Sequence, residues 1–146
     1  MADWNKRFIE LSKHIATWSK DINTVTGAVI ADKDHRIVSV GYNGFPSGCD
    51  DSCKERYERP LKYMYTEHAE RNAIYNAARI GVSTKDCTLY VMWFPCADCA
   101  RAIIQSGITK LVCKEPDLEL PKWGEHFKIA LEMLKEAKVE INYIID

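Results

Sequence analysis

The sequence predicts an α/β fold, a three-layer α/β/α sandwich built on a central mixed five-stranded sheet. Three observations lead there: an amphipathic helical stripe at the start, a β-hairpin directly after it, and an alternation of helical and β-like segments from about residue 67 onward. With 146 residues, 47% of them hydrophobic and 28% charged, the chain is expected to form one domain over 1–146 around a single core.

Trp4, Phe8, Leu11, Ile15, Trp18 and Ile22 recur every three or four residues with Lys, Arg, Asp and Ser between them, which predicts an amphipathic helix packed on a sheet. Gly27 to Ala31 and Arg36 to Tyr42 are β-branched runs flanking the polar turn Asp32-Lys33-Asp34-His35, so they predict a hairpin of two strands. Residues 43–66 are rich in Gly, Pro, Asp and charge and lack periodicity. They are expected to form a long loop with some irregular helix, and such loops in compact domains are usually functional. Ala69, Ala73, Ile74, Ala77 and Ala78 give a small-residue face to a helix from about Glu67 to Ile80, with Gly81 as its stop. Cys87 to Trp93 reads as a strand, Ala97 to Ser106 as a helix ended by Gly107, and Lys110 to Cys113 as a strand. Pro121 is placed to open a last helix striped by Phe127, Ala130, Leu131, Leu134 and Ala137, and Val139 to Ile145 is the final strand.

The formal charge of −1 lacks the basic excess of a nucleic-acid binder, so no nucleic acid is expected, whereas a free nucleotide remains compatible. No apolar run approaches the length that spans a bilayer, and the opening residues lack the apolar stretch of a secretory signal. The expectation is a cytoplasmic protein, off the membrane, with reduced thiols. The six cysteines are therefore not read as three disulfides. Cys87 and Cys113 lie in apolar stretches and behave as small hydrophobes. Cys49 and Cys53, in a polar loop without a histidine partner, are read as loop thiols in preference to a second metal site.

Two clusters carry chemistry: His68-Ala69-Glu70 and Pro95-Cys96-Ala97-Asp98-Cys99. His68, Cys96 and Cys99 are three metal ligands that leave a fourth tetrahedral position open to water, the arrangement of a catalytic rather than a structural zinc. Cys96 and Cys99 are three residues apart at a predicted helix start, where their sulfurs can converge and the helix dipole lowers thiol pKa. Residues two apart diverge by about 200° on a regular helix. His68 and Glu70 must therefore straddle a helix start, His68 ligating and Glu70 reaching past it to move the proton of a water whose pKa zinc lowers to about 7. A lone C-x-x-C would suit a redox pair or half of a structural zinc site. The first leaves His68 and Glu70 without a purpose, and the second lacks a fourth protein ligand, because His14, His35 and His126 fall in other segments.

The conjunction H-x-E…P-C-x-x-C is the signature of zinc nucleobase deaminases. On these residues the chain resembles the cytidine deaminase superfamily over nearly its whole length, and more narrowly the deoxycytidylate (dCMP) deaminases. Three stretches carry the likeness: Gly41-Tyr42-Asn43-Gly44-Phe45-Pro46-Ser47-Gly48, His68-Ala69-Glu70-Arg71-Asn72-Ala73-Ile74, and Pro95-Cys96-Ala97-Asp98-Cys99-Ala100 followed by Ile103-Ile104-Gln105-Ser106-Gly107-Ile108. The first discriminates most, since free-nucleoside and tRNA adenosine deaminases carry other loops there. The resemblance implies a cytidine deaminase-like sandwich, one Zn2+ per subunit, Glu70 as the proton shuttle, and hydrolytic deamination of dCMP to dUMP and ammonia.

It also implies that Asn43 hydrogen-bonds the sugar hydroxyl, that the backbone around Ala69 and Pro95-Cys96 reads the pyrimidine edge, and that Phe94 and Trp93 wall the pocket. Activation by dCTP and inhibition by dTTP near Gly44 and Phe45, Mg2+ accompanying a triphosphate effector, and a homo-oligomer, favoured as a hexamer, follow from the same likeness. Among Lys54, Arg56, Arg59, Lys62, Lys114 and Lys122 the sequence does not choose a partner for the substrate phosphate. The compact chain lacks the longer insertions of some relatives, which leaves dCTP open as a further substrate. Two other readings compete: a tRNA or polynucleotide deaminase, disfavoured by the charge, and a zinc-stabilised interaction module in which Glu70 has no role.

Overall fold

The computed structural model describes residues 2–145. Five strands and five helices follow in the order α1 (Trp4–Ala16), β1 (Gly27–Ala31), β2 (Ile37–Tyr42), α2 (Lys62–Tyr65), α3 (Ala69–Ile80), β3 (Thr88–Val91), α4 (Ala97–Gln105), β4 (Lys110–Cys113), α5 (Gly124–Glu136) and β5 (Glu140–Tyr143), with a 3-10 turn at Lys54–Tyr57. The sheet order is β2-β1-β3-β4-β5. β1 pairs antiparallel with β2 and β3, whereas β3, β4 and β5 run parallel, as right-handed crossovers through α4 and α5 would place them. The mixed five-stranded sheet is the one expected from the sequence.

Side-chain alternation along the strands builds the layers. Val29, Ala31, Tyr90 and Val112 pack with Phe8 and Ile9 of α1 on one face. Ala28, Ile30, Leu89, Val91, Leu111 and Cys113 point to the other, where α3, α4 and α5 supply Ala73, Ala100, Ile103, Ala130 and Leu134. β1, buried along its whole length, is the strand both faces share.

Several boundaries shift by one or two residues, β5 at both ends among them, and three differences from expectation have a visible cause. The apolar stripe of α1 continues to Ile22, but the helix ends at Ala16, and Trp18 is 51% exposed. Asp21 Oδ1 accepts from the N–H groups of Asn23 and Thr24, and Ser19 Oγ donates to Asn43 O, so short polar side chains offer this segment an alternative to helical bonds. Pro121 does not open α5: the N–H of Gly124 closes a turn on Leu120 O, and the helix begins only there. β3 stops at Val91, because Met92 and Trp93 bend away to present Phe94-Pro95-Cys96.

The position of α3 over β2 is set by close contact. A Cβ on Gly41 would lie 2.3 Å from Ala73 N and 2.6 Å from Ala69 O, so only glycine lets the helix backbone come down onto the strand. Ser39 Oγ donates to Ala73 O (2.6 Å), Asn72 Nδ2 to Tyr42 O (2.8 Å) and Asn76 Nδ2 to Val40 O (2.8 Å), fastening the helix along the strand. Among the described residues, no helix is long and apolar enough to cross a membrane.

Candidate active site

His68 and Cys96 occupy equivalent places, the N-caps of α3 and α4. Both have extended backbone (φ −76°, ψ 153° and φ −71°, ψ 173°), and neither side chain caps its own helix. Their side chains turn to each other instead. His68 Nδ1 lies 3.6 Å from Cys96 Sγ and 3.4 Å from Cys99 Sγ. Among the described residues these three form the one group of histidine, cysteine or acidic side chains whose ligand atoms all fall within 4.8 Å of one another. Tetrahedral zinc with Zn–S near 2.3 Å and Zn–N near 2.0 Å requires an N···S separation of about 3.6 Å, so the donor set fits zinc in both chemistry and spacing. The group lies just beyond the carboxyl end of β3, where open α/β sheets place their ligands.

The electrostatics suit metal binding. The Cys96 thiol is lowered to about 4, because the Cys99 thiol and then His68 hydrogen-bond its anion. Cys99 is pushed up by donating to Cys96 and by burial, and His68 is raised by its bond to Cys96. Glu70, in the first turn of α3, is only 6% exposed, and burial raises its carboxyl above the ordinary value against the pull of His68. A buried carboxyl two residues from a metal ligand is a candidate proton carrier.

Ala69 is fully buried at the first position of α3, Pro95 is buried, and Phe94 is buried with its ring edge-on to Phe127 at 5.8 Å. Trp93 is not core but 51% exposed, with Lys114 Nζ 5.1 Å from its ring. Asn43 is buried, and its amide grips backbone: Nδ2 donates to Thr24 O (2.9 Å) and Oδ1 accepts from Thr26 N (2.8 Å). One amide proton and one lone pair remain for a ligand. Gly44 and Glu67 exchange backbone hydrogen bonds (3.1 and 2.8 Å), joining the Gly-Tyr-Asn-Gly loop to the residue before His68. Phe45 stacks on Tyr57 at 4.6 Å, an aromatic contact inside the otherwise largely exposed flap of residues 43–66.

Cys49 and Cys53 stay outside the metal group, and the buried Cys113 thiol is pushed up to about 12 by burial, as suits an inert small hydrophobe. Sequence reasoning passed over Glu67, Arg71 and Asp98. Glu67 accepts from Arg71 (2.5 Å), and Arg71 reaches Asp98 (3.7 Å). The four-residue spacing of Glu67 and Arg71 was the available signal.

A His-Cys-Cys group with a buried carboxylate, set at two neighbouring helix starts on a mixed sheet, defines the class: a zinc-centred α/β deaminase fold. The model for the cytidine and deoxycytidylate deaminase zinc-binding region matches residues 2–115, and the chain belongs to that family. It is 43% identical over 145 residues to an uncharacterized deaminase in the luxG 3' region of Aliivibrio fischeri, covering 99% of this chain and 95% of that one. It is 40% identical over 115 residues to human deoxycytidylate deaminase, covering 75% of this chain and 64% of the human one. In fold it is similar to the dCMP deaminase of cyanophage S-TIM5, solved in complex with dCMP and dUMP (TM-score 0.77, 22% identity, 95% of each chain).

Proposed function

We propose that residues 1–146 act as one zinc-dependent deaminase domain that hydrolyses dCMP to dUMP and ammonia. The observation that carries this is the buried Glu70 carboxyl beside the converging His68, Cys96 and Cys99. His68 Nδ1, Cys96 Sγ and Cys99 Sγ would hold the zinc, and the bound ion supplies the Lewis acidity that makes hydroxide available near neutral pH. Glu70 takes the proton of the attacking water, delivers it to N3 of the pyrimidine, and passes a second proton to the amine as the C4–N bond breaks. The Ala69 N–H, in the first turn of α3, has no intrahelical acceptor and serves the pyrimidine carbonyl. Pro95 offers only its carbonyl, which accepts from the exocyclic amine. Phe94 walls the ring, and the free half of the Asn43 amide meets the sugar hydroxyl.

The cations sort themselves. Lys62 is buried against Asp21 at 3.1 Å, and Arg56 lies over Tyr65 while donating to Asp50 O, which argues against either as the phosphate partner. Lys122 lies over the rings of Tyr63 and Trp123, and Trp123 stacks on Phe127, the neighbour of Phe94. That chain of rings makes Lys122 the favoured phosphate contact. The same reading carries effector control at Gly44 and Phe45, dCTP (as its Mg2+ complex) activating and dTTP inhibiting, in a hexamer. Its support is the backbone pairing of Gly44 with Glu67, which links an effector at the loop to the residue beside His68.

The test is ammonia release from dCMP, dCTP, deoxycytidine and cytidine by protein of measured zinc content, with and without dCTP and dTTP. Turnover of dCMP in preference to the nucleosides is expected, and Glu70→Gln should keep zinc and fold while losing about 10²–10⁴ in rate. A zinc-loaded protein inert on all four would overturn the assignment.

A further inference from the structure

Arg71 lies one residue past Glu70, and its side chain is only 18% exposed. Its Nε–H donates to Glu67 Oε1 at 2.5 Å, and that same oxygen accepts from the His68 backbone N–H at 3.2 Å. On its other side Nη1 lies 3.7 Å from Asp98 Oδ2, and Asp98 accepts from Arg101 Nη2 at 2.6 Å. The contacts thus run from the residue that precedes one metal ligand to the residue between the other two. Among the described residues no other ion pair joins α3 to α4. We infer that Arg71 is a positioning residue for the metal centre: its half-buried guanidinium cross-braces the starts of α3 and α4 through Glu67 and Asp98. This rests on the zinc reading of the site.

Two physical arguments support the role. The ligands come from two separate helix starts, and a metal site loses affinity when either drifts, so a brace between the starts holds the pocket ready for the ion. Glu67 and Asp98 each stand one residue from a metal ligand, and the guanidinium between them offsets both negative charges. The planar fork of arginine can serve carboxylates on two sides at once, whereas a lysine ammonium at the same place carries the charge without the span.

The experiment is zinc competition between the holoprotein and a chromophoric chelator at fixed pH, for wild type, Arg71→Leu, Arg71→Lys and Asp98→Asn, together with the visible spectrum of the Co2+-substituted proteins. Arg71→Leu should weaken zinc binding about 10–100-fold, the range for loss of a supporting contact around a metal ligand. Arg71→Lys should recover part of that loss but show altered cobalt bands, because charge returns without the brace. Asp98→Asn should weaken binding in the same direction by less, and adding it to Arg71→Leu should change little further. If Arg71→Leu does not fold, Arg71→Lys and Asp98→Asn carry the test, since Asp98 is half exposed and asparagine has the same shape. Variants that all hold zinc within twofold of wild type would overturn the inference alone. A wild-type protein that takes up no stoichiometric zinc would overturn the zinc reading and the inference with it.

Discussion

Replacing Gly41 by alanine adds one methyl group where the structure has no room for it. The new Cβ would stand 2.3 Å from Ala73 N, 2.6 Å from Ala69 O and 2.9 Å from Ala73 Cα, all backbone atoms of α3. Backbone cannot rotate aside as a side chain can, so reaching ordinary contact near 3.4 Å requires the helix to lift by about 1 Å. Overpacking of this kind costs about 1–3 kcal/mol, which for a chain of this size lowers Tm by roughly 3–10 °C. The functional effect should be larger than the stability effect. Ala69 is the neighbour of both His68 and Glu70, so the lift moves ligand and carboxyl together, and a misplacement of about 1 Å can reduce a catalytic rate about 10²-fold. The assay pairs thermal unfolding with the rate of ammonia release from dCMP at measured zinc occupancy. A Gly41→Ala protein with wild-type Tm and wild-type rate would refute the claim that this glycine sets the height of α3.

The buried Asp21–Lys62 pair anchors the flap to the segment after α1, so Asp21→Asn should destabilise by about 3 kcal/mol at pH 7. Burial opposes ionisation of Asp21, but the N–H groups of Asn23 and Thr24 and the Lys62 ammonium outweigh it and hold the carboxyl below its ordinary 3.8. With the folded value depressed, the stabilisation is complete above about pH 4 and is lost as pH falls through the folded value, so the Tm gap between wild type and Asp21→Asn should narrow below pH 4. Cys96→Ser and Cys99→Ser should each lose stoichiometric zinc, measured by atomic emission, and melt at the temperature of chelator-treated wild type. A zinc-replete Cys99→Ser protein would remove that residue from the ligand set.

The parts of this molecule that were legible in sequence are those whose physics is local. The strands announced themselves through contiguous apolar runs, and the need for His68 and Glu70 to straddle a helix start follows from helical geometry alone, which the N-cap position of His68 satisfies. Where propensity met competition, the sequence misled. The stripe from Trp4 to Ile22 is continuous, yet the helix stops at Ala16, because Asp21 accepts from the Asn23 and Thr24 N–H groups and Ser19 Oγ donates to Asn43 O, 24 residues along the chain. At Asn43 the sequence suggested a ligand contact, and the structure adds a second task, since its amide stitches Thr24 and Thr26 to the loop.

The contacts that decide the site's geometry are the least visible ones. Gly41 sits inside a strand, where a glycine signals close approach by another backbone, but only the fold reveals that the backbone is α3. Through Gly41, Asn72 and Asn76 the sheet fixes α3, and through Arg71 and Asp98 α3 is tied to α4. His68, Glu70, Cys96 and Cys99 supply the chemistry, and their neighbours within and just outside the same stretches supply the distances among them. The ligands can be read from one sequence by residue type and spacing, whereas the contacts that hold them, whose loss costs a metal site about 10–100-fold in affinity, have to be found in three dimensions.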